Sequence, residues 1–337
     1  MDPLLFPALI SLAGLGAIFG GGLAYASKKF HVEVDPRILT IIDVLPGANC
    51  GACGKPGCAG FAAAVAAGAA DAAGCTPGGA DVAAKVADIM GVEATVGESM
   101  VVVVRCGGGK KEAVDKYIYY GVQTCTAAKL VDNGPKACEY GCTGFGDCCE
   151  VCSFDALHMG ENGLPVVDDE KCTGCGLCVT ACPRDIMELI PKSTQIYVAC
   201  RSHDRGKTVK AVCSVGCNGC SLCANPKTTP SGALVMDDFL PREDWSVEDN
   251  LITAMHKCPT NSFIDKVKFR PKFTIDTKCN SCSDCVKACP VKKCIAGEEG
   301  QVFVIDQELC IGCGRCVPVC EPKAIHMIGS LAYQQDN

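Results

Sequence analysis

Lys171 to Pro183 reads Lys-Cys-Thr-Gly-Cys-Gly-Leu-Cys-Val-Thr-Ala-Cys-Pro, placing Cys172, Cys175, Cys178 and Cys182 at C-x2-C-x2-C-x3-C-P spacing. Three thiolates at successive short steps curl round one cubane iron–sulfur cluster, and the fourth leaves on a short helix to serve the neighbouring cluster. Zinc is the rival reading, but structural zinc usually draws paired C-x2-C hooks from two separate places. The chemistry expected of such a site is one-electron transfer.

The same spacing measures the rest of the chain. Over Gly141 to Cys152, Cys142, Cys148 and Cys152 match Cys172, Cys178 and Cys182, while Phe145 stands where Cys175 would be. Cys138, four residues upstream of Cys142, is expected to supply the missing ligand. Crossing the fourth ligands predicts one cluster on Cys138, Cys142, Cys148 and Cys182 and another on Cys172, Cys175, Cys178 and Cys152. Cys149 is then spare, and a small loop shift could exchange it for Cys148. Farther on, Cys217, Cys220 and Cys223 are followed by Lys227 instead of a fourth cysteine. The companion half keeps Cys258-Pro259 but has Glu248, Leu251 and Ala254 at the other three positions. One whole crossed set has been lost, which predicts a single cluster on Cys217, Cys220, Cys223 and Cys258. The last stretch is complete: Cys279, Cys282, Cys285 with Cys320, and Cys310, Cys313, Cys316 with Cys289. Near the start, Cys50, Cys53 and Cys58 sit in a glycine-rich loop. An alanine-rich run from Ala59 to Ala73, of strong helix propensity, returns the chain to Cys75. This four-cysteine site could also be zinc. The sum is six [4Fe–4S] clusters. Six cysteines of the chain's 30 are left over: Cys106, Cys125, Cys149, Cys200, Cys213 and Cys294. Cys106 and Cys125 lie outside any ligand run, and buried structural thiols are the expectation for them.

The elements that must position these ligands are small. One Trp and 11 Phe in 337 residues do not build two large cores, so modules stapled by metal are expected, with cluster binding supplying folding free energy. A secreted disulfide scaffold is the other cysteine-rich class, and the ligand-run spacing argues against it. The net charge of −7 gives no footing for nucleic-acid binding. No phosphate-cradling glycine loop or nucleophile motif is present, and Gly107-Gly108-Gly109 reads as a turn. Pro3 to Ser27 carries no charged residue and is long enough to span a bilayer. Gly16, Gly20 and Ala24 recur along one face that a partner helix could approach. A cleaved signal peptide is the alternative, because Ala24-Tyr25-Ala26 imitates a cleavage site, though the segment before the apolar run carries Asp2 and no Lys or Arg. Lys28 and Lys29 would hold the remainder on the cytoplasmic side. The expected class is therefore α+β: a transmembrane anchor (1–30), a four-cysteine [4Fe–4S] module (31–98), a connecting segment (99–135) containing a buried Val101–Val104 strand, a two-cluster ferredoxin-like module (136–195), a one-cluster module (196–268), a second two-cluster module (269–330) and a polar tail (331–337). Arg201, Arg205, Lys207 and Lys210 form a basic loop that could dock an acidic redox partner or be a solvated turn.

The order of these motifs resembles one family. A glycine-rich transmembrane start, Pro46-Gly-Ala-Asn-Cys-Gly-Ala-Cys-Gly54, Lys136-Ala-Cys-Glu-Tyr-Gly-Cys142 and trailing ferredoxin modules are similar to the B subunits of the Rnf complex, a membrane ferredoxin:NAD+ oxidoreductase. The resemblance covers nearly the whole chain. It implies reduced ferredoxin as electron donor, integral membrane subunits as acceptors, and electron flow toward NAD+ that drives sodium or proton export. In that family flavin and NAD+ lie on other subunits, so none is expected on this chain, nor is a substrate-converting site. A membrane-tethered iron–sulfur sensor or zinc scaffold, and the related complex that reduces a redox-responsive regulator, are the other readings.

Overall fold

A computed structural model describes residues 5–30, 35–93, 97–298 and 300–328, and the polar tail lies outside them. The chain divides into two compact units, 1–75 with 80–95 and 76–79 with 96–337.

In the first unit, α1 (Leu5–Lys29) is a 25-residue helix ending on Lys28 and Lys29. It is long and apolar enough to cross a membrane. Its Gly16 and Gly20 have open space around them. Asp35 caps α2 (Pro36–Val44) by accepting the Arg37 amide at 2.9 Å, with Pro36 in the first turn where its missing N–H costs nothing. α3 (Gly57–Ala66) and α4 (Gly79–Met90) follow. The three close on Ile41, Phe61, Ala62, Val65 and Val86. The alanine-rich run does not stay helical to Ala73. Gly68 takes φ +72° and turns the chain out of α3, with the Ala69 amide bonding back to Ala64.

The second unit contains six antiparallel two-stranded ladders among its described residues. Its strands are β1 (Met100–Val104), β2 (Leu157–Met159), β3 (Pro165–Val167), β4 (Met187–Pro191), β5 (Ile196–Val198), β6 (Leu234–Asp237), β7 (Leu240–Glu243), β8 (Phe263–Asp265), β9 (Phe273–Ile275), β10 (Ile295–Ala296), β11 (Val304–Ile305) and β12 (Ile325–Met327). They pair as β1–β4 with β2–β3, β5–β8 with β6–β7, and β9–β12 with β10–β11. The nested pattern, an outer ladder round an inner hairpin, thus occurs three times. Short helices interrupt it: α5 (Cys125–Leu130), α6 (Asp147–Glu150), α7 (Leu177–Ala181), α8 (Gly206–Val212), α9 (Ile252–His256) and α10 (Asp284–Ala288).

β1 explains its own run of valines. Expected as a buried strand within a connecting segment, it pairs with β4 from Met100↔Pro191 to Val104↔Met187. Val102 and Val104 face the cysteine-rich core with Cys142 and Cys178. Val101 and Val103 face Tyr197 and Ala199. A strand covered on both sides reads as continuous apolar sequence instead of alternating.

Candidate metal centres

Four small cavities lie among the cysteines. One, of about 330 Å³, is lined by Cys217, Cys220, Cys223 and Cys258. Another, of about 320 Å³, holds Cys289, Cys310, Cys313 and Cys316, with Cys294 also on its wall. A third, of about 330 Å³, is lined by Cys125, Cys142, Cys148 and Cys182. The fourth, also about 330 Å³, is lined by Cys106, Cys138, Cys200 and Cys213. Two further sets are gathered in the same way. Burial, and then the thiols of Cys175, Cys172 and Cys152, push Cys178 up to about 12. Burial likewise raises Cys285, beside Cys279, Cys282 and Cys320. In the first unit Cys53, Cys58 and Cys75 pack against one core. There the Cys58 amide, at the start of α3, donates to Asn49 Oδ1 at 2.8 Å.

The structure therefore brings together most of the expected sets and regroups one. Cys138 does not line the cavity of Cys142, Cys148 and Cys182; Cys125 stands there instead. The reason is local. Asp147 accepts the amides of Cys125 and Thr126 at 2.7 and 3.1 Å, capping α5 and pinning its first residue beside Cys148. Cys125 is buried as expected, but it faces a thiol-lined cavity. The sequence signal was Gly-Asp-Cys at 146–148, an acid next to a ligand with a distant helix start to cap. Cys148 lines this cavity, not its neighbour Cys149.

The loops carrying the cysteine triplets share one backbone shape. The residues flanking the middle cysteine take positive φ throughout: Gly174 and Gly176, Gly219 and Ser221, Ser281 and Ser283, Gly312 and Gly314. Gly144 and Gly146 do the same round Phe145, so that loop has kept its curl after losing its middle ligand. Glycine adopts this conformation freely, whereas serine meets a steric cost.

These cages fit a cluster better than an ion. Four cysteines line three of the cavities and five line the other, an all-thiol donor set that suits a [4Fe–4S] cluster. Burial pushes Cys142, Cys200 and Cys316 up to about 12, and Cys217 and Cys223 to about 11. Such thiols stay protonated until a cation compensates them, so metal loading expels the protons. Backbone amides reach several sulfurs: Ser262 N–H to Cys258 at 3.4 Å and Ala324 N–H to Cys320 at 3.3 Å. Donors of this kind tune cluster potential.

The comparisons with known proteins agree with this chemistry. The FeS family of Fe–S cluster modules matches residues 45–77, and the 4Fe-4S binding domain family matches 165–188 and 303–326. The chain is 40% identical over 298 residues to the B subunit of the Na(+)-translocating ferredoxin:NAD(+) oxidoreductase complex of Acetobacterium woodii, covering 88% of this chain and 79% of that one. It is 38% identical to the B subunit of the ion-translocating oxidoreductase complex of Methanosarcina acetivorans, over 87% of this chain and 98% of the relative. This chain belongs to the B subunits of the ion-translocating oxidoreductase (Rnf) complex. A third B subunit, from Clostridium ljungdahlii, is 43% identical over 75% of this chain and 90% of its own and is named as proton-translocating.

For this B subunit the basic segment divides in two. Arg201 is engaged, its guanidinium 3.3 Å from Glu188. Arg205 lies over the Phe239 ring at 5.3 Å. The stretch is not wholly a loop, since Gly206–Val212 forms α8, with Lys207 and Lys210 exposed on it.

Proposed function

We propose that the chain is the electron-relay subunit of an ion-translocating ferredoxin:NAD+ oxidoreductase. It would take electrons from reduced ferredoxin and hand them to integral membrane subunits. The observation that carries this is the series of cavities each lined by four cysteines, within a chain that matches B subunits over most of its length. A [4Fe–4S] cluster with all four ligands filled supplies one-electron transfer at low potential and has no open position for substrate.

Six such clusters are assigned: Cys50, Cys53, Cys58 and Cys75; Cys125, Cys142, Cys148 and Cys182; Cys172, Cys175, Cys178 and Cys152; Cys217, Cys220, Cys223 and Cys258; Cys279, Cys282, Cys285 and Cys320; Cys310, Cys313, Cys316 and Cys289. The protein's part is to hold the thiols at fixed places, to exclude water from the cages and to donate amides to sulfur. α1 is the membrane anchor, and Lys28 and Lys29 at its end keep the metal-bearing modules on the cytoplasmic side by the positive-inside rule. Lys207 and Lys210 supply positive charge for an acidic donor.

Anaerobic rapid mixing of the full chain with reduced ferredoxin tests this. The visible absorbance of the clusters should bleach within milliseconds to seconds, more slowly at high salt and after Lys207→Glu with Lys210→Glu. Reduction over hours, insensitive to salt, would mark a sensor or scaffold instead of a relay.

A further inference from the structure

The cavity of Cys106, Cys138, Cys200 and Cys213 is used by none of the sets above, and no ferredoxin-like motif spans it. Its ligands come from four separate places in sequence. The segment after Cys106 is zipped against three flanks, each of which delivers one cysteine. Gly107 N–H bonds Ala199 C=O at 2.9 Å, which sets Cys200 beside Cys106. Ala113 bridges Cys213, and Val114 N–H bonds Val212 C=O at 2.9 Å. Asp115 bridges Lys136, and Ala137 N–H bonds Val114 C=O at 2.8 Å, bringing Cys138. A Cβ on Gly108 would lie 2.9 Å from Cys213 Sγ and 4.0 Å from Cys106 Sγ, so the glycine leaves room between the two sulfurs.

Two features match the cages already described, and a third sets this site apart. Four cysteines line one small cavity. Amides reach its sulfurs: Cys142 N–H to Cys106 at 3.4 Å and Cys217 N–H to Cys200 at 3.3 Å. Buried cations flank it. Lys136 is 6% exposed and donates to the Gly108 carbonyl; Arg184, 8% exposed, lines the adjacent cavity of Cys142 and Cys182 and donates to the carbonyls of Gly141 and Cys138, which line this one. Among the described residues neither has a carboxylate partner. A buried cation without a counter-charge is costly, and a cluster held by four thiolates carries net negative charge.

We propose that Cys106, Cys138, Cys200 and Cys213 hold a seventh [4Fe–4S] cluster, placed between the cage of Cys142 and the cage of Cys217. The two sulfur-directed amides belong to Cys142 and Cys217 themselves, each a wall of the adjacent cavity. The site therefore joins two neighbouring cages that otherwise share no ligand residue. Each transfer oxidises one cluster by one electron and reduces the next by one, so no co-reactant is needed beyond the relay's own donor and acceptor. The proposal rests on the reading that the other cages hold such clusters. It leaves only Cys149 and Cys294 unassigned.

Iron and acid-labile sulfide are counted per chain on the full protein, reconstituted anaerobically in detergent, and the reduced clusters are titrated by electron paramagnetic resonance. Seven clusters give about 28 iron atoms. Cys213→Ala should lose about four iron and four sulfide with one resonance component, and Cys149→Ala should lose none. An unaltered chain at about 24 iron, with Cys213→Ala unchanged, overturns the seventh cluster and leaves the six-cluster relay standing. A chain with no sulfide at all overturns the relay reading itself. The count on the unaltered chain needs no variant and so is independent of whether Cys213→Ala folds.

Discussion

The β5–β8 region and the β9–β12 region have the same nested ladders but different interiors. Where the β9–β12 region keeps both crossed cysteine sets, its main buried cluster among the described residues holds Cys285, Cys294 and Cys316 with Ile295, Phe303, Ile305 and Ile325. The β5–β8 region has lost one set. Leu251, Ile252 and Ala254 of the α9 segment now sit in its core, at 4%, 2% and 0% exposure, with Ile196, Val198, Ala233, Leu234, Leu240 and Phe263. Leu251 and Ala254 stand where cysteines would be. Apolar side chains have taken the space of a cluster, and hydrophobic burial has replaced metal–thiolate bonding as what closes that half of the module. On the proposed relay reading, a cluster in this chain would be structural as well as electronic.

The largest effect expected from this difference comes on stripping the metal. Chelation of the oxidised protein removes bonding on the order of 10 kcal/mol per site. The β9–β12 region, with four non-cysteine core residues, should then exchange its ladder amides at the rate of an unfolded chain. The β5–β8 region should keep protection at amides such as Ala199 N–H, bonded to the Ser262 carbonyl at 2.7 Å, because the larger core holds that ladder. Equal loss in both regions, measured by hydrogen exchange, would break the comparison.

The regions also differ in how they are tied to their neighbours. Arg105, at the end of β1, bonds Glu188 at 3.0 Å, Glu243 at 2.7 Å and the Val198 carbonyl at 3.0 Å, so it clamps β1 and β4 to β5 and β7. The Glu243 side chain is 2% exposed. The β9–β12 region is held to the β5–β8 region by lighter ties: Arg315 to the Thr228 carbonyl, and Asn250 to the Cys313 carbonyl at 3.0 Å. Arg105→Gln leaves a buried carboxylate without its charge partner and should destabilise the β5–β8 region by about 3–5 kcal/mol. Arg315→Ala should cost about 1 kcal/mol. Amide exchange in β5 and β7 ranks the two variants, and a reversed order would mean that Arg315 is the principal tie.

Much of this was legible in the sequence because ligand spacing is a local property. The triplets at Cys172, Cys217, Cys279 and Cys310 announced both their loops and their crossed partners. The loss of a whole set round Leu251 was readable from the residues that replaced it. What escaped were contacts set by pairings far apart in the chain. Cys125 is placed beside Cys148 by the Asp147 cap 22 residues away, and Cys106 meets Cys200 and Cys213 only through backbone bonds that no spacing rule encodes. The Ala59–Ala73 run was over-extended because the turn at Gly68 outweighs helix propensity. β1 was visible as a strand, but its membership of the β4 ladder was not.

The smallest effect lies in the loops that both regions share. Ser283 in the β9–β12 region occupies φ +64°, where the β2–β3 triplet has Gly176 at φ +79°. As the residue before α10 it makes no side-chain capping bond. An L-residue in this conformation costs about 1–2 kcal/mol, and glycine gives part of that back as extra freedom of the unfolded chain. Ser283→Gly should therefore stabilise the β9–β12 region by about 0.5–1 kcal/mol. Gly314, at φ +69° in the facing triplet, gives the opposite change. Its added Cβ would meet Phe273 Cζ at 3.4 Å, in ordinary van der Waals contact, so Gly314→Ala carries the cost of positive φ and should lose about 1–2 kcal/mol. Denaturant unfolding followed through cluster absorbance reads both variants. If Ser283→Gly were destabilising, the serine hydroxyl would be holding the loop, and the cost of positive φ would not be what distinguishes the two triplets.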